Sequence, residues 1–165
     1  MLLPNSRIIA AIVFVGCALL MTVALYMEHV MHLEPCPLCI LQRVMVIATA
    51  IVALIAAVHG PQEFGIKIYA ALMVLTSFTG GAISSRQLWL QNLPKDEVPA
   101  CGASLDYLLD VFPLAEVLSM VLTGDGTCAE IAWQFLGISI PGWTLVGFVG
   151  LLLIGCFLFL KPKVA

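Results

Sequence analysis

At 165 residues, with 62% hydrophobic and 10% charged side chains and a mean hydropathy of +1.10, the chain is too apolar for a water-soluble domain, where roughly a quarter of residues are charged. It belongs in a lipid bilayer, and its net charge of -3 lacks the basic footprint of a nucleic-acid binder. Of its six cysteines, Cys36, Cys39, Cys101 and Cys128 lie outside or at the edge of the apolar runs, and Cys17 and Cys156 lie inside them as small buried hydrophobes.

The first apolar run, Ile8 to Met27, holds no charge and meets the ~20 residues that a spanning helix needs. A signal peptide competes, because Arg7 precedes the run. The run exceeds a usual h-region, however, and no small-x-small cleavage site follows, so it is read as a first span over about 8–27. A polar connection over about 28–39 carries Glu28, His29, His32 and Glu34. The second span, about 40–58, has Gln42 and Arg43 in its first turns and stops at the turn signal His59-Gly60-Pro61. The third, about 66–85, tolerates Lys67 at its edge by snorkelling and carries Gly80-Gly81, where another helix can approach closely. Residues 86–139 form a long segment with seven acidic residues. Within it, Ser104 to Leu122 sets apolar clusters against Asp106, Asp110 and Glu116 at helical spacing, interrupted by Pro113, as a short amphipathic helix on the membrane surface would. The fourth span, about 140–160, ends at Lys161-Pro162-Lys163.

The expected fold is thus an all-α membrane protein: one integral membrane domain over 1–165, a four-transmembrane-helix bundle with a long periplasmic loop that contains a short amphipathic helix. Four spans put both termini on one side. Arg7, Lys67, Lys161 and Lys163 fall on that side against Arg86 and Lys95 on the other, so the termini are expected in the cytoplasm. All four non-spanning cysteines then face outward, where disulfides persist. Trp89, Trp133, Trp143 and Tyr26 fall near the outer boundary, as an aromatic belt does.

The chemistry concentrates in Glu34-Pro35-Cys36-Pro37-Leu38-Cys39-Ile40-Leu41-Gln42-Arg43. Pro37 suits a first helical position, which puts Cys36 near the N-cap and Cys39 one turn in. The positive end of a helix favours thiolate over thiol, and C-x-x-C spacing lets two sulfurs meet in a reversible disulfide. Arg43 follows Cys39 by four residues on the same face. An arginine beside a long apolar run is costly and marks a functional site, here to steady a thiolate or donate to a carbonyl oxygen of a bound cofactor. A snorkelling arginine beside a structural disulfide is the plainer alternative. His29 and His32 with Cys36 and Cys39 make a formal four-ligand metal set, but ligation would tie up both thiols in an oxidising compartment, so no metal is expected.

Cys101 and Cys128 bracket 26 residues, a spacing that a loop-stabilising staple would also use. A staple needs no second pair at a helix mouth, whereas two exterior pairs suit a thiol–disulfide relay carrying two electrons. No dinucleotide fingerprint, P-loop or haem attachment motif is present in the sequence, so the acceptor is expected to be a lipid-soluble two-electron carrier, a requirement that a quinone meets.

Pro35-Cys36-Pro37-Leu38-Cys39 with Gln42-Arg43, the stretch SRQLWLQNLP from Ser85 to Pro94 leading to Cys101, and Cys128-Ala129-Glu130 continuing through Trp133, Phe135-Leu136-Gly137 and Pro141-Gly142-Trp143 resemble the disulfide bond formation protein B (DsbB) family. The likeness runs over nearly the whole chain, with four spans and both cysteine pairs in order. It implies a quinone-dependent thiol oxidase of the bacterial inner membrane that reoxidises a periplasmic DsbA-like dithiol oxidase and passes electrons to the membrane quinone pool, ubiquinone or menaquinone. It further implies that Cys101 is attacked by the reduced partner, that Cys128 is its intramolecular mate, and that Cys128 exchanges with Cys36, releasing Cys39 as a thiolate beside the quinone. Arg43 would bind the quinone and support negative charge. Many family members carry a histidine where this chain has Gln87, which donates hydrogen bonds but does not titrate near neutrality. A vitamin K epoxide reductase-like protein is the nearest enzymatic alternative, though that family places its C-x-x-C nearer the last span. A membrane protein whose disulfides only brace an exterior loop is the alternative from another class.

Overall fold

The structure is a computed structural model that describes residues 5–94, 96–98, 105–124 and 126–161. Among these residues, four helices are long and apolar enough to cross a membrane: α1 (Ser6–His29), α2 (Pro37–His59), α3 (Glu63–Gln91) and α7 (Ile140–Leu160). Asn5 caps α1 by accepting from the Arg7 backbone N–H at 3.1 Å. Gly60 ends α2 at φ +58, a left-handed conformation in which a side chain would also strike the Arg7 guanidinium. Arg7 lies there because it donates to the carbonyls of Ala57 at 3.0 Å and Val58 at 3.3 Å, fastening the start of α1 to the end of α2.

The bundle packs in chain order, α1 on α2, α2 on α3 and α3 on α7. Its interior holds Val13, Cys17, Val46, Ala53, Met73, Phe148 and Leu151, while Ile12, Leu19, Leu75 and Leu153 stand outward as lipid-facing side chains do, and so does Cys156, which was expected to be buried. Gly80 permits the tightest crossing: a Cβ there would fall 2.3 Å from ring atoms of Phe148 on α7. Small residues set helix separation in membranes because lipid is as apolar as the helices themselves.

The helices outrun the apolar stretches that announce them. α3 has 29 residues, about 43 Å at 1.5 Å per residue, against about 30 Å of bilayer hydrocarbon. It therefore projects past the hydrocarbon and carries Gln87 and Leu90 into a second core. That core joins Leu38, Ile83 and Leu90 to Val117, Val121 and Cys128 from the segment between α3 and α7. The segment forms α4 (Leu105–Val111), α5 (Leu114–Thr123), α6 (Gly126–Ala129) and a hairpin of β1 (Gln134–Phe135) and β2 (Ile138–Ser139).

Where a single amphipathic helix was expected there are thus two, because Pro113 lacks an N–H to continue α4 and disfavours helical geometry at Phe112. Pro113 caps α5 instead, its carbonyl accepting from Val117 at 3.1 Å. One side of α5 buries Val117 and Val121, each contributing ~2 kcal/mol by burial, while Leu114, Leu118 and Leu122 are exposed. Arg86 of α3 holds the far end of α5 by donating to the carbonyls of Thr123 at 3.0 Å and Leu122 at 3.5 Å, and lies 4.2 Å over the ring of Trp89. The hairpin was not expected either. Its two-residue loop has positive φ at Leu136 and Gly137, which only the glycine accepts without strain.

Candidate functional site at the mouth of α2

The local sequence sets the first two sulfurs. With Pro37 as first helical residue, Cys36 becomes the N-cap in extended conformation, its sulfur accepting from the Cys39 backbone N–H at 3.4 Å. The Cys39 sulfur, one turn on, lies 3.0 Å from that of Cys36. Tertiary packing adds a third. Cys128, fully buried on α6, hydrogen-bonds Cys36 because α6 rests on α3 and on the first turn of α2. Hydrogen bonding with Cys128, then with Cys39, together with burial, pushes the Cys36 thiol well above its usual range. Cys101 lies outside the described residues.

A line of buried amides backs these sulfurs. Gln87 Nε2 donates to Cys36 at 3.2 Å and to Cys39 at 3.3 Å. Gln42 Nε2 donates to Gln87 Oε1 at 2.7 Å, and Thr144 Oγ1 donates to Gln42 Oε1 at 2.6 Å. Gln87 was singled out in the sequence as a departure from the family pattern, and here it contacts both thiols. Gln42 carried a signal that was not used: three residues after Cys39 it shares the sulfur-bearing face of α2. Thr144 carried none, since it lies 102 residues from Gln42 and only the packing of α7 brings it near.

Arg43 stands on the same helix but pairs with Glu28 of α1 and donates to the Ala24 carbonyl at 3.3 Å. Cys36, Cys39, Gln87, Gln42 and Arg43 all line one cavity of about 420 Å³. Its apolar walls come from Leu20, Val23 and Met27 of α1 and Phe148 and Leu151 of α7, and its rim from aromatic rings. Trp133 and Phe135 stack at 6.0 Å with an 8° interplanar angle, and Trp143 donates from Nε1 to the Phe135 carbonyl at 3.2 Å. These tryptophans, expected as a belt, also form a wall. An apolar cavity with a few converging polar groups is the usual form of a small-molecule site, and this one suits a flat, lipid-soluble ring with polar oxygens.

The family model for Disulfide bond formation protein DsbB matches residues 6–158. Proteins described as Disulfide bond formation protein B are similar throughout. That of Marinobacter nauticus is 53% identical over 157 residues, 95% of this chain and 94% of its own length. That of Saccharophagus degradans is 51% identical over 152 residues, 92% of each chain, and that of Hahella chejuensis 49% over 157 residues, 95% of each.

Proposed function

Because the chain belongs to the DsbB family of disulfide-forming membrane oxidoreductases, we propose that it reoxidises a periplasmic DsbA-like dithiol oxidase and delivers the electrons to membrane quinone through two cysteine pairs. One observation carries this reading: Cys36 hydrogen-bonds Cys128 on the exterior segment and Cys39 at the cavity, so a single sulfur links the two.

The exchange runs as four displacements. A partner thiolate attacks Cys101 of the Cys101–Cys128 disulfide, forms a mixed disulfide and expels the Cys128 thiolate; the second partner thiol resolves that bond, leaving the partner oxidised and Cys101 reduced. Cys128 attacks Cys36 of the Cys36–Cys39 disulfide, and Cys39 departs with the bonding electron pair. Cys101 then attacks Cys128, restoring the exterior disulfide and leaving Cys36 and Cys39 reduced. The cavity would hold a quinone, whose chemistry would supply the sink for two electrons and two protons. Cys39 and Arg43 would hold it, the cation favouring negative charge on an oxygen, while the apolar walls exclude water. Placement in the bacterial inner membrane is inferred from the family, and cytoplasmic termini from the lysine and arginine distribution.

The test is quinone-reduction kinetics with a reduced DsbA-like protein. Replacing any one of Cys36, Cys39, Cys101 or Cys128 by serine is expected to stop turnover, and Arg43→Ala to raise the quinone KM about tenfold, the loss of one charge-assisted contact, while partner binding is kept. Serine variants that keep full activity and lose only thermal stability would instead make the disulfides braces.

A further inference from the structure

The amide line behind the sulfurs has a direction, and that direction has a chemical consequence. Gln42, Gln87 and Thr144 come from three different helices, and both glutamines are 3% exposed. A buried polar group without a partner gives up its hydration with nothing in return, so each of these groups must be satisfied by its neighbour. Two arrangements of protons satisfy them all. In one, Thr144 donates to Gln42, Gln42 to Gln87, and Gln87 presents its NH2 group to the sulfurs. In the other, Thr144 donates to the Pro141 carbonyl at 3.0 Å, both amides are turned over, and Gln87 presents its oxygen to a thiol.

The distances favour the first. Thr144 Oγ1 lies 2.6 Å from Gln42 Oε1, a length that suits a hydroxyl donating to an oxygen and is short for an amide N–H donating to a hydroxyl, and with Gln42 so fixed Gln87 Nε2 is the atom at 3.2 and 3.3 Å from the two sulfurs. The first arrangement aims two N–H donors at sulfur and therefore suits an anion. No member of the line titrates near neutrality. The titratable or charged groups lining the same cavity are Cys36, Cys39, Arg43, Glu34 and Glu130, with Cys128 against Cys36 and Glu28 against Arg43.

We propose that Thr144 and Gln42 are positioning residues that hold the Gln87 amide with its NH2 on the Cys36–Cys39 pair, so that the bundle interior stabilises the sulfur anion released when Cys128 bonds to Cys36. The inference rests on the exchange sequence proposed above for its role in turnover, but the hydrogen-bond line acts on the pair whatever accepts the electrons. Stabilising the reduced form of a dithiol makes its disulfide a stronger oxidant. Thr144 thereby tunes the oxidising power of a pair that it does not touch.

The experiment equilibrates the full-length protein in detergent with glutathione buffers, quenches it with acid, and measures Cys36–Cys39 oxidation by differential alkylation and peptide mass. Thr144→Val, nearly isosteric but without the hydroxyl, is expected to weaken the disulfide as an oxidant by about three- to tenfold, tenfold being ~30 mV for two electrons. Thr144→Ser restores the wild-type value. Gln42→Met shifts the equilibrium the same way, and the double variant is no worse than Gln42→Met alone, since a line broken once is broken. Quinone kinetics on the wild type reports separately on the electron sink, so a protein that reduces no quinone but shows these shifts overturns the functional reading and keeps this one. An unchanged glutathione equilibrium in folded Thr144→Val and Gln42→Met, with only lower thermal stability, overturns the proposal.

Discussion

Cys36 touches two other sulfurs, and those contacts set how readily it gives up its proton. Its thiol is pushed up by Cys128 and then by Cys39, so at a given pH it holds less thiolate than an ordinary cysteine with a pKa of about 8.5. In the fully reduced protein at about pH 8, iodoacetamide should therefore label Cys36 at least tenfold more slowly than an unstructured cysteine peptide, read by peptide mass. Cys128→Ala should speed that labelling. A rate unaffected by Cys128→Ala would mean that α6 does not act on Cys36. At this scale the sequence was most informative where neighbours along the chain decide: Pro37 and the C-x-x-C spacing led directly to an N-cap sulfur. It was least informative for Arg43, whose pairing with Glu28 of α1 depends on a helix 15 residues away.

The elements owe their placement to a few residues that set distance. Gly80 lets α3 and α7 close until Phe148 occupies the space of a side chain. Gly80→Ala must push the ring aside, and overpacking of this kind costs ~1–3 kcal/mol, visible as a lower midpoint of thermal unfolding in detergent. Phe148→Leu in the same background should recover part of that loss. If Gly80→Ala is as stable as the wild type, the crossing is looser than the structure has it. The glycine pair was legible as a point of close approach, but the ring that fills it was not, because nothing local to Gly80 names a partner 68 positions away. The longer reach of α3 has a similar cause. Apolar composition marks where lipid ends, while a helix continues as long as its backbone bonds persist and its side chains find a surface, which α5 and α6 provide for Leu90 and the start of α2 provides for Gln87.

At the scale of the whole molecule, the four spans place Arg7, Lys67 and Lys161 at the end of the bundle where α1 starts and α7 stops, and the cysteine cluster at the other. A reporter enzyme active only outside the cytoplasm should be silent when fused after Lys161 and active when inserted between Asp96 and Val98. The reverse pattern would invert the proposed topology. The four-helix architecture was readable because spanning a bilayer demands long uncharged runs, a constraint that each segment meets alone. The sulfur pair at a helix mouth was readable because i, i+3 spacing and a proline suffice. Tertiary structure alone decided that Cys128 meets Cys36, that Gln87 lies over both sulfurs and that Thr144 stands behind Gln42. Hydrogen bonds are short and directional, so which groups 45 to 102 residues apart can form them is settled by how far the packed helices turn and approach, a property that no single stretch of the chain contains.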